Sequence, residues 1–143
     1  MNGFRIWPLA PARLAARILR YDPLRWQSDP LLEQMNARAR ELGLTQSHFT
    51  NSSGLPDPDM RVTVRELALL ARHIIATYPD FYKLYGEREF TWNKILQRNR
   101  NPLLGLDIGV DGMKTGFTED SGYGIVASIK RGGRRLFAAM SGF

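Results

Sequence analysis

Apolar residues first recur at helical spacing from Asp29 onward. Asp29 can cap a helix with Pro30 at its first position. Leu31, Met35, Ala39 and Leu42 then fall on one face, and Gly43 ends the segment. Residues 45–59 are polar and hold Ser-Ser-Gly and Pro-Asp-Pro, the signature of a long ordered loop. Thr63-Val64-Arg65-Glu66 fits a capping box. Behind it Leu67, Leu70, Ala71, Ile74 and Tyr78 repeat at helical spacing up to Pro79, and a short aromatic helix is expected over 81–85. The period then changes. Short strands are expected at 89–92 and at 112–118, the latter interrupted by Gly116, with a turn region at 99–105. The strongest strand pair is 123–130 with 135–140, joined by Arg131-Gly132-Gly133-Arg134. Both of these strands are apolar on both faces, which predicts helices on both sides of their sheet. Helices followed by an antiparallel meander give an α+β fold.

The 143 residues suffice for one ordinary domain with a real core. With 43% hydrophobic and 24% charged residues, the chain is not of the disordered class. The net charge of +6 is unevenly spread. Arg5, Arg13, Arg17, Arg20 and Arg25 face only Asp22 within residues 1–28, whereas the remainder is close to balanced. Residues 1–28 also lack clear periodicity, although 11–20 could form a basic amphipathic helix. They are read as a basic extension in front of a domain spanning 29–143. The balanced charge of that domain gives no nucleic-acid footprint. No window of 18 or more apolar residues suggests a transmembrane helix, and the N-terminus does not read as a secretory signal.

Several chemistries are excluded by composition. No cysteine is present, so a thiol nucleophile, a disulfide framework and a cysteine zinc site are all ruled out. The two histidines, His48 and His73, have no metal-binding spacing, and no metal is expected. Asp57 and Asp59 flank Pro58 without the rest of a calcium loop. Gly105, Gly109 and Gly112 do not form a dinucleotide-binding pattern. Tyr82, Tyr85, Phe90 and Trp92 are expected to serve packing, and Arg131, Arg134 and Arg135 to lie solvated around a hairpin turn.

Candidate chemistry centres on Lys114-Thr115-Gly116, within the run Gly-Val-Asp-Gly-Met-Lys-Thr-Gly-Phe-Thr at 109–118 and followed by Ser121-Gly122-Tyr123-Gly124. Three letters alone are weak, but they do not stand alone. Met35-Asn36-Ala37-Arg38-Ala39, Leu42-Gly43-Leu44-Thr45, His48-Phe49-Thr50-Asn51-Ser52-Ser53-Gly54-Leu55-Pro56, Phe90-Thr91-Trp92-Asn93 and Asn99-Arg100-Asn101-Pro102-Leu103-Leu104 precede them in order. Together these residues resemble the low-molecular-mass penicillin-binding proteins, the serine D-alanyl-D-alanine carboxypeptidases (peptidase S11), from about Met35 to Met140.

That resemblance implies part of a penicillin-binding-protein/β-lactamase-like transpeptidase domain and acyl transfer at a serine. Lys114 would place positive charge beside the reacting serine and the substrate carboxylate. Thr115 would donate its hydroxyl to that carboxylate. Gly116 would let the substrate backbone approach the strand, and the Phe117 N–H would join the oxyanion hole. The implied partners are peptidoglycan stem peptides ending in D-Ala-D-Ala, and β-lactams. No cofactor is implied.

The departures from the family pattern matter as much. Ser28, Ser47, Ser52, Ser53, Ser121 and Ser128 are followed three positions later by Leu31, Thr50, Leu55, Pro56, Gly124 and Arg131, so the family's Ser-x-x-Lys is missing. Ser-x-Asn is missing too. The chain therefore reads as the C-terminal part of a catalytic domain, inactive alone, with apolar faces left open and a tendency to self-associate. Ser53 and Ser121 are the first serines to suspect if this reading fails. The resemblance implies a periplasmic or cell-envelope setting, whereas the lack of an export signal suggests the cytoplasm. A second possibility is a non-catalytic module that binds D-Ala-D-Ala peptides through the Lys-Thr-Gly strand. A third is a nucleic-acid or membrane-surface binder acting through its N-terminal arginines.

Overall fold

The computed structural model describes residues 29–143. The extension over 1–28 and its expected helix at 11–20 lie outside the described residues. Helix α1 spans Asp29–Glu41 and α2 spans Val64–Thr77. A short α3, Pro79–Tyr82, runs into a 3-10 turn, Lys83–Gly86. Strands follow: β1 (Glu89–Trp92), β2 (Ile95–Arg98), β3 (Val110–Thr118), β4 (Gly122–Arg131) and β5 (Arg134–Ser141). A second 3-10 turn, Pro102–Gly105, precedes β3. β3, β4 and β5 form an antiparallel meander in that order, and β1–β2 is a separate ribbon. The fold is α+β, as the order of periodicities predicts.

The cap of α2 differs from a capping box in one half. Thr63 accepts from the Glu66 N–H (3.2 Å), as the motif requires. The Glu66 carboxylate does not turn back to Thr63. It accepts from the Gln46 N–H (2.8 Å) and from the Ser47 hydroxyl, and Glu66 is buried. One carboxylate thus ties the polar loop to the start of α2. Asn36 on α1 holds the same loop at a second point: it accepts from the Phe49 N–H (2.9 Å) and donates to the Phe49 carbonyl (2.7 Å). His48 bridges by backbone bonds to Arg61, so the segment between α1 and α2 is pinned along its length.

The core lies between α2 and the inner face of the meander. Val62, Leu67, Ala71, Tyr82, Tyr85, Met113 and Val126 form its centre, with Phe137 and Ala139 of β5 packed against it. Cross-strand partners share a face. Val126 pairs with Ala139 and Ser128 with Phe137 on the inner face. Ile125 pairs with Met140, Ala127 with Ala138 and Ile129 with Leu136 on the outer face. The expectation of helices on both faces is corrected here. Among the described residues helix α2 covers the inner face alone; on the outer one Ala127 and its ladder partner Met113 are buried, but Tyr123, Leu136 and Met140 stand exposed.

Two further readings are corrected. Phe90 and Trp92 do not pack inside: they are 62% and 69% exposed, because every position of the β1–β2 ribbon stands clear of the core. β2 itself was not expected. Its ribbon closes through Asn93 and Lys94, both at positive φ, the geometry of a two-residue hairpin turn. Tyr82 and Tyr85 are buried, as expected of packing aromatics.

Candidate functional site

Lys114, Thr115 and Gly116 lie in the middle of β3, opposite Val126, Ile125 and Gly124. β3 is paired on one side only among the described residues, so its other edge offers backbone N–H and C=O groups. Gly116 faces Gly124 across the ladder. The strand pair therefore carries no side chain at this point, and an extended chain can approach the backbone closely. Phe117 follows, 46% exposed, its ring packed on Tyr123 at 4.5 Å between centroids.

The Lys114 side chain is half-buried, and its Nζ donates to the Thr115 carbonyl (2.5 Å). Its pKa lies below the ordinary lysine value. Burial is the main cause, and the positive charge of Arg100 adds to it. In the sequence Arg100 belongs to the matching run at 99–104 and carries no role of its own. The structure gives it one by fixing its flanks. Asn99 donates to the Glu87 and Tyr85 carbonyls (2.8 and 3.2 Å), accepts from the Asn101 N–H (2.9 Å), and its own N–H donates to Arg88. Buried Asn101 accepts from the Leu103 N–H (3.0 Å). The two asparagines hold the backbone on either side, and Arg100 is presented where its charge acts on Lys114. The Asn-Arg-Asn spacing is the sequence signal that could have marked it.

The start of β3 is held by a second cluster. The Asp111 carboxylate accepts two bonds from the Arg135 guanidinium (2.8 Å each) and one from the Tyr82 hydroxyl (2.6 Å). Arg135 also donates to the fully buried Ser128 hydroxyl (2.5 Å) and lies over the Tyr82 ring, 5.5 Å from its centroid. Arg135 is thus not a solvated turn residue as expected, since its fork closes on a carboxylate 24 positions away. Burial pushes the Asp111 carboxyl up, but the bonds from Arg135 and Tyr82 outweigh it and hold its pKa below the usual range. Burial and the bond to Asp111 push the Tyr82 hydroxyl up, and burial alone raises Tyr85 to about 12. Gly112 sits against this cluster: a Cβ there would come within 2.5 Å of the Tyr82 oxygen.

The serines are engaged locally. Ser53 donates to the Asn51 side chain (3.0 Å), and its oxygen accepts from the Leu55 N–H. Ser121 shares a hydrogen bond with Thr118 (2.5 Å) in the β3–β4 turn. His73 contacts Thr77 and the Tyr78 ring edge, and among the described residues no cluster of three metal-ligating side chains occurs. No helix among them is long and apolar enough to cross a membrane.

Chemically, the arrangement is one wall of a site. It combines the Lys114 cation, on which the charge of Arg100 acts, with a hydroxyl and an open strand edge, a set suited to an extended peptide ending in a carboxylate. The D-alanyl-D-alanine carboxypeptidase family (peptidase S11) matches residues 27–142. The D-alanyl-D-alanine carboxypeptidase DacA of Haemophilus influenzae is 47% identical over 98 residues, which cover 68% of this chain and 25% of its own. Penicillin-binding protein 5 of the same organism superposes with a TM-score of 0.74 at 43% identity, over 78% of this chain and 33% of its own. Penicillin-binding protein D2 of Listeria monocytogenes, solved in an ampicillin-bound form, matches at 31% identity with a TM-score of 0.70, over 78% of this chain and 47% of its own. The chain spans about a quarter of the length of the curated relatives it matches.

Proposed function

The chain belongs to the D-alanyl-D-alanine carboxypeptidase family, and from that premise we propose that residues 29–143 supply the Lys-Thr-Gly wall of such a site without carrying out hydrolysis themselves. The observation that carries this reading is Lys114 half-buried on an open strand edge beside Arg100. The substrate is a peptidoglycan stem peptide ending in D-Ala-D-Ala. Its backbone lies along β3, its terminal carboxylate meets Lys114, Arg100 and the Thr115 hydroxyl, and the Phe117 N–H faces the scissile carbonyl oxygen. β-Lactams mimic that acyl group and occupy the same edge.

The sequence holds no Ser-x-x-Lys and no Ser-x-Asn. Ser53 and Ser121 spend their hydroxyls within their own turns. A serine with no activating base is a poor nucleophile, so the covalent route is closed while charge stabilisation remains. A stem peptide places the work of this wall in the cell envelope. The cytoplasmic reading has no supporting observation, and residues 1–28 are read as an extension outside the domain.

Intact-mass measurement after incubation with a penicillin tests the absence of a nucleophile. The expected result is no added mass, with no D-alanine released from an acylated D-Ala-D-Ala peptide. A stoichiometric adduct on the folded chain alone would overturn it. Saturable peptide binding that is lost in Lys114→Ala tests the wall itself.

A further inference from the structure

The pairing of β3 with β4 changes register by one residue near its start. Val110 lies opposite Ile129, but Gly112 lies opposite Ser128, so Asp111 is an extra residue with no ladder partner of its own. This is a β-bulge, in which two residues of one strand face one residue of the next. The side chains show its geometry. The Asp111 carboxylate bonds the Tyr82 hydroxyl (2.6 Å), and a Cβ on Gly112 would come within 2.5 Å of that same oxygen. Two successive residues thus point to one side of the strand, where regular alternation would send them to opposite sides. Gly112 carries no side chain and leaves that space to Tyr82. The backbone of the bulge is crowded as well: a Cβ on Gly86 would come within 3.0 Å of the Asp111 carbonyl oxygen.

The place of the bulge decides which face Lys114 occupies, because a shift of one residue sends every later side chain to the other face. Continued without interruption, the pairing of Val110 with Ile129 would set Gly112 opposite Ala127 and Lys114 opposite Ile125, on the outer face. With the bulge upstream, Lys114 lies opposite Val126, on the face that α2 covers. The two ends of the strand are fixed independently. At its start the Lys130 N–H donates to the Gly109 carbonyl (2.8 Å). At its end Phe117 packs on Tyr123, and the Thr118 hydroxyl oxygen accepts from the Ser121 N–H (3.2 Å). The mismatch of one residue between these ends has to be absorbed within 111–116, and only absorption before Lys114 turns that side chain inward. Asp111 absorbs it there, because two elements outside the β3–β4 ladder hold its carboxylate: β5 through the Arg135 fork (2.8 Å for each bond) and α3 through the Tyr82 hydroxyl. We propose that Asp111 is a positioning residue for Lys114: it anchors the bulge upstream of the Lys-Thr-Gly and so presents the Lys114 side chain on the inner face. The proposal deepens the reading of this strand as a carboxypeptidase wall and rests on that reading for its ligand.

Two measurements on the full chain test this. Cross-strand proton contacts in nuclear magnetic resonance report which β4 residue lies opposite Lys114, and calorimetry reports the affinity for an acylated D-Ala-D-Ala peptide. The wild type should show Val126 opposite Lys114. In Asp111→Ala the bulge is released and contacts from Lys114 to Ile125 should appear. Apparent affinity should fall with the inward fraction, about tenfold where about a tenth of the chains keep Lys114 inward. Tyr82→Phe leaves the Arg135 fork in place and should move both readouts in the same direction by less. It decides the matter if Asp111→Ala loses its far-UV circular dichroism. Ile74→Val loosens the packing of α2 on the core without touching the bulge, and it should leave pairing and affinity as in the wild type. A cluster that serves stability alone would lower the urea midpoint of the Asp111 and Tyr82 variants while Lys114 stays opposite Val126, and that result would overturn the proposal. A loss of affinity with the pairing intact would overturn it too. A wild type that binds no peptide would sink the carboxypeptidase reading alone, since the pairing measurement still decides the role of Asp111.

Discussion

Replacing Asp111 by Asn tests how the start of β3 is held. The substitution keeps the side-chain shape and removes the charge. Asp111 anchors both nitrogens of the Arg135 fork and the Tyr82 hydroxyl. The Arg135 side chain is 25% exposed and that of Asp111 38%. Breaking a fully buried pair costs about 3–5 kcal/mol, because an uncompensated charge is left behind. Exposed pairs are worth about 0–1 kcal/mol. This pair lies between those limits, and solvent reaches Asp111, so a loss of about 2 kcal/mol at pH 7 is expected. With a urea slope of about 2 kcal/mol/M, the midpoint moves down by about 1 M. The pH dependence gives the sharper test. Asp111 has a depressed pKa in the folded state, so its contribution is fully present above the ordinary Asp pKa near 4 and is lost as pH falls through the folded value. Asn does not titrate there. Urea melts across pH should therefore show a full gap between wild type and variant at pH 7, narrowing steadily below about pH 4. A gap that stays constant into acid, or one below about 0.5 kcal/mol at neutral pH, would refute the charge-based account of the cluster.

Two other outcomes follow from the same region. Gly112→Ala drives a methyl into the Tyr82 hydroxyl and should cost about 1–3 kcal/mol; in a Tyr82→Phe background the cost should shrink, and strict additivity in a double-mutant cycle would count against the contact. Arg100→Ala removes the positive charge that helps lower the Lys114 pKa. Calorimetric binding of a D-Ala-D-Ala peptide should then be weaker at neutral pH but persist to higher pH before Lys114 loses its proton. The sign for stability is opposite: a lowered lysine pKa means the unfolded chain binds the proton more readily, so folding gains as pH rises toward the ordinary value near 10.4.

What the sequence made legible was mostly local. The α2 periodicity, the glycine-rich β4–β5 turn and the Lys-Thr-Gly strand rest on neighbouring residues, and each stands where it was expected. What escaped depends on distant partners. Arg135 next to a Gly-Gly turn looks like a solvated cation, and only the packing of α3 against β3 brings Asp111 and Tyr82 to it. Glu66 fits a capping box by spacing, yet its carboxylate finds a better set of donors 20 positions upstream. Arg100 carries no periodic signal, because its place beside Lys114 is set by two asparagine side chains bonded to the backbone. The single covered face of the meander was hidden for another reason. Apolar strands report that burial is wanted, not which elements provide it.

The antiparallel meander has a consequence for how the chain reaches its native state. Each of its strands pairs with the next one along the chain through a short turn. Such contacts close small loops, and hairpins of this kind form on a microsecond scale. The packing of α2 on β5 instead spans most of the described sequence and requires a costlier closure. The strand bearing Lys114 therefore belongs to a part of the molecule that its own sequence neighbours can build. A ribosome releases the meander after the helices, but once released it can assemble without waiting for the helices to find it.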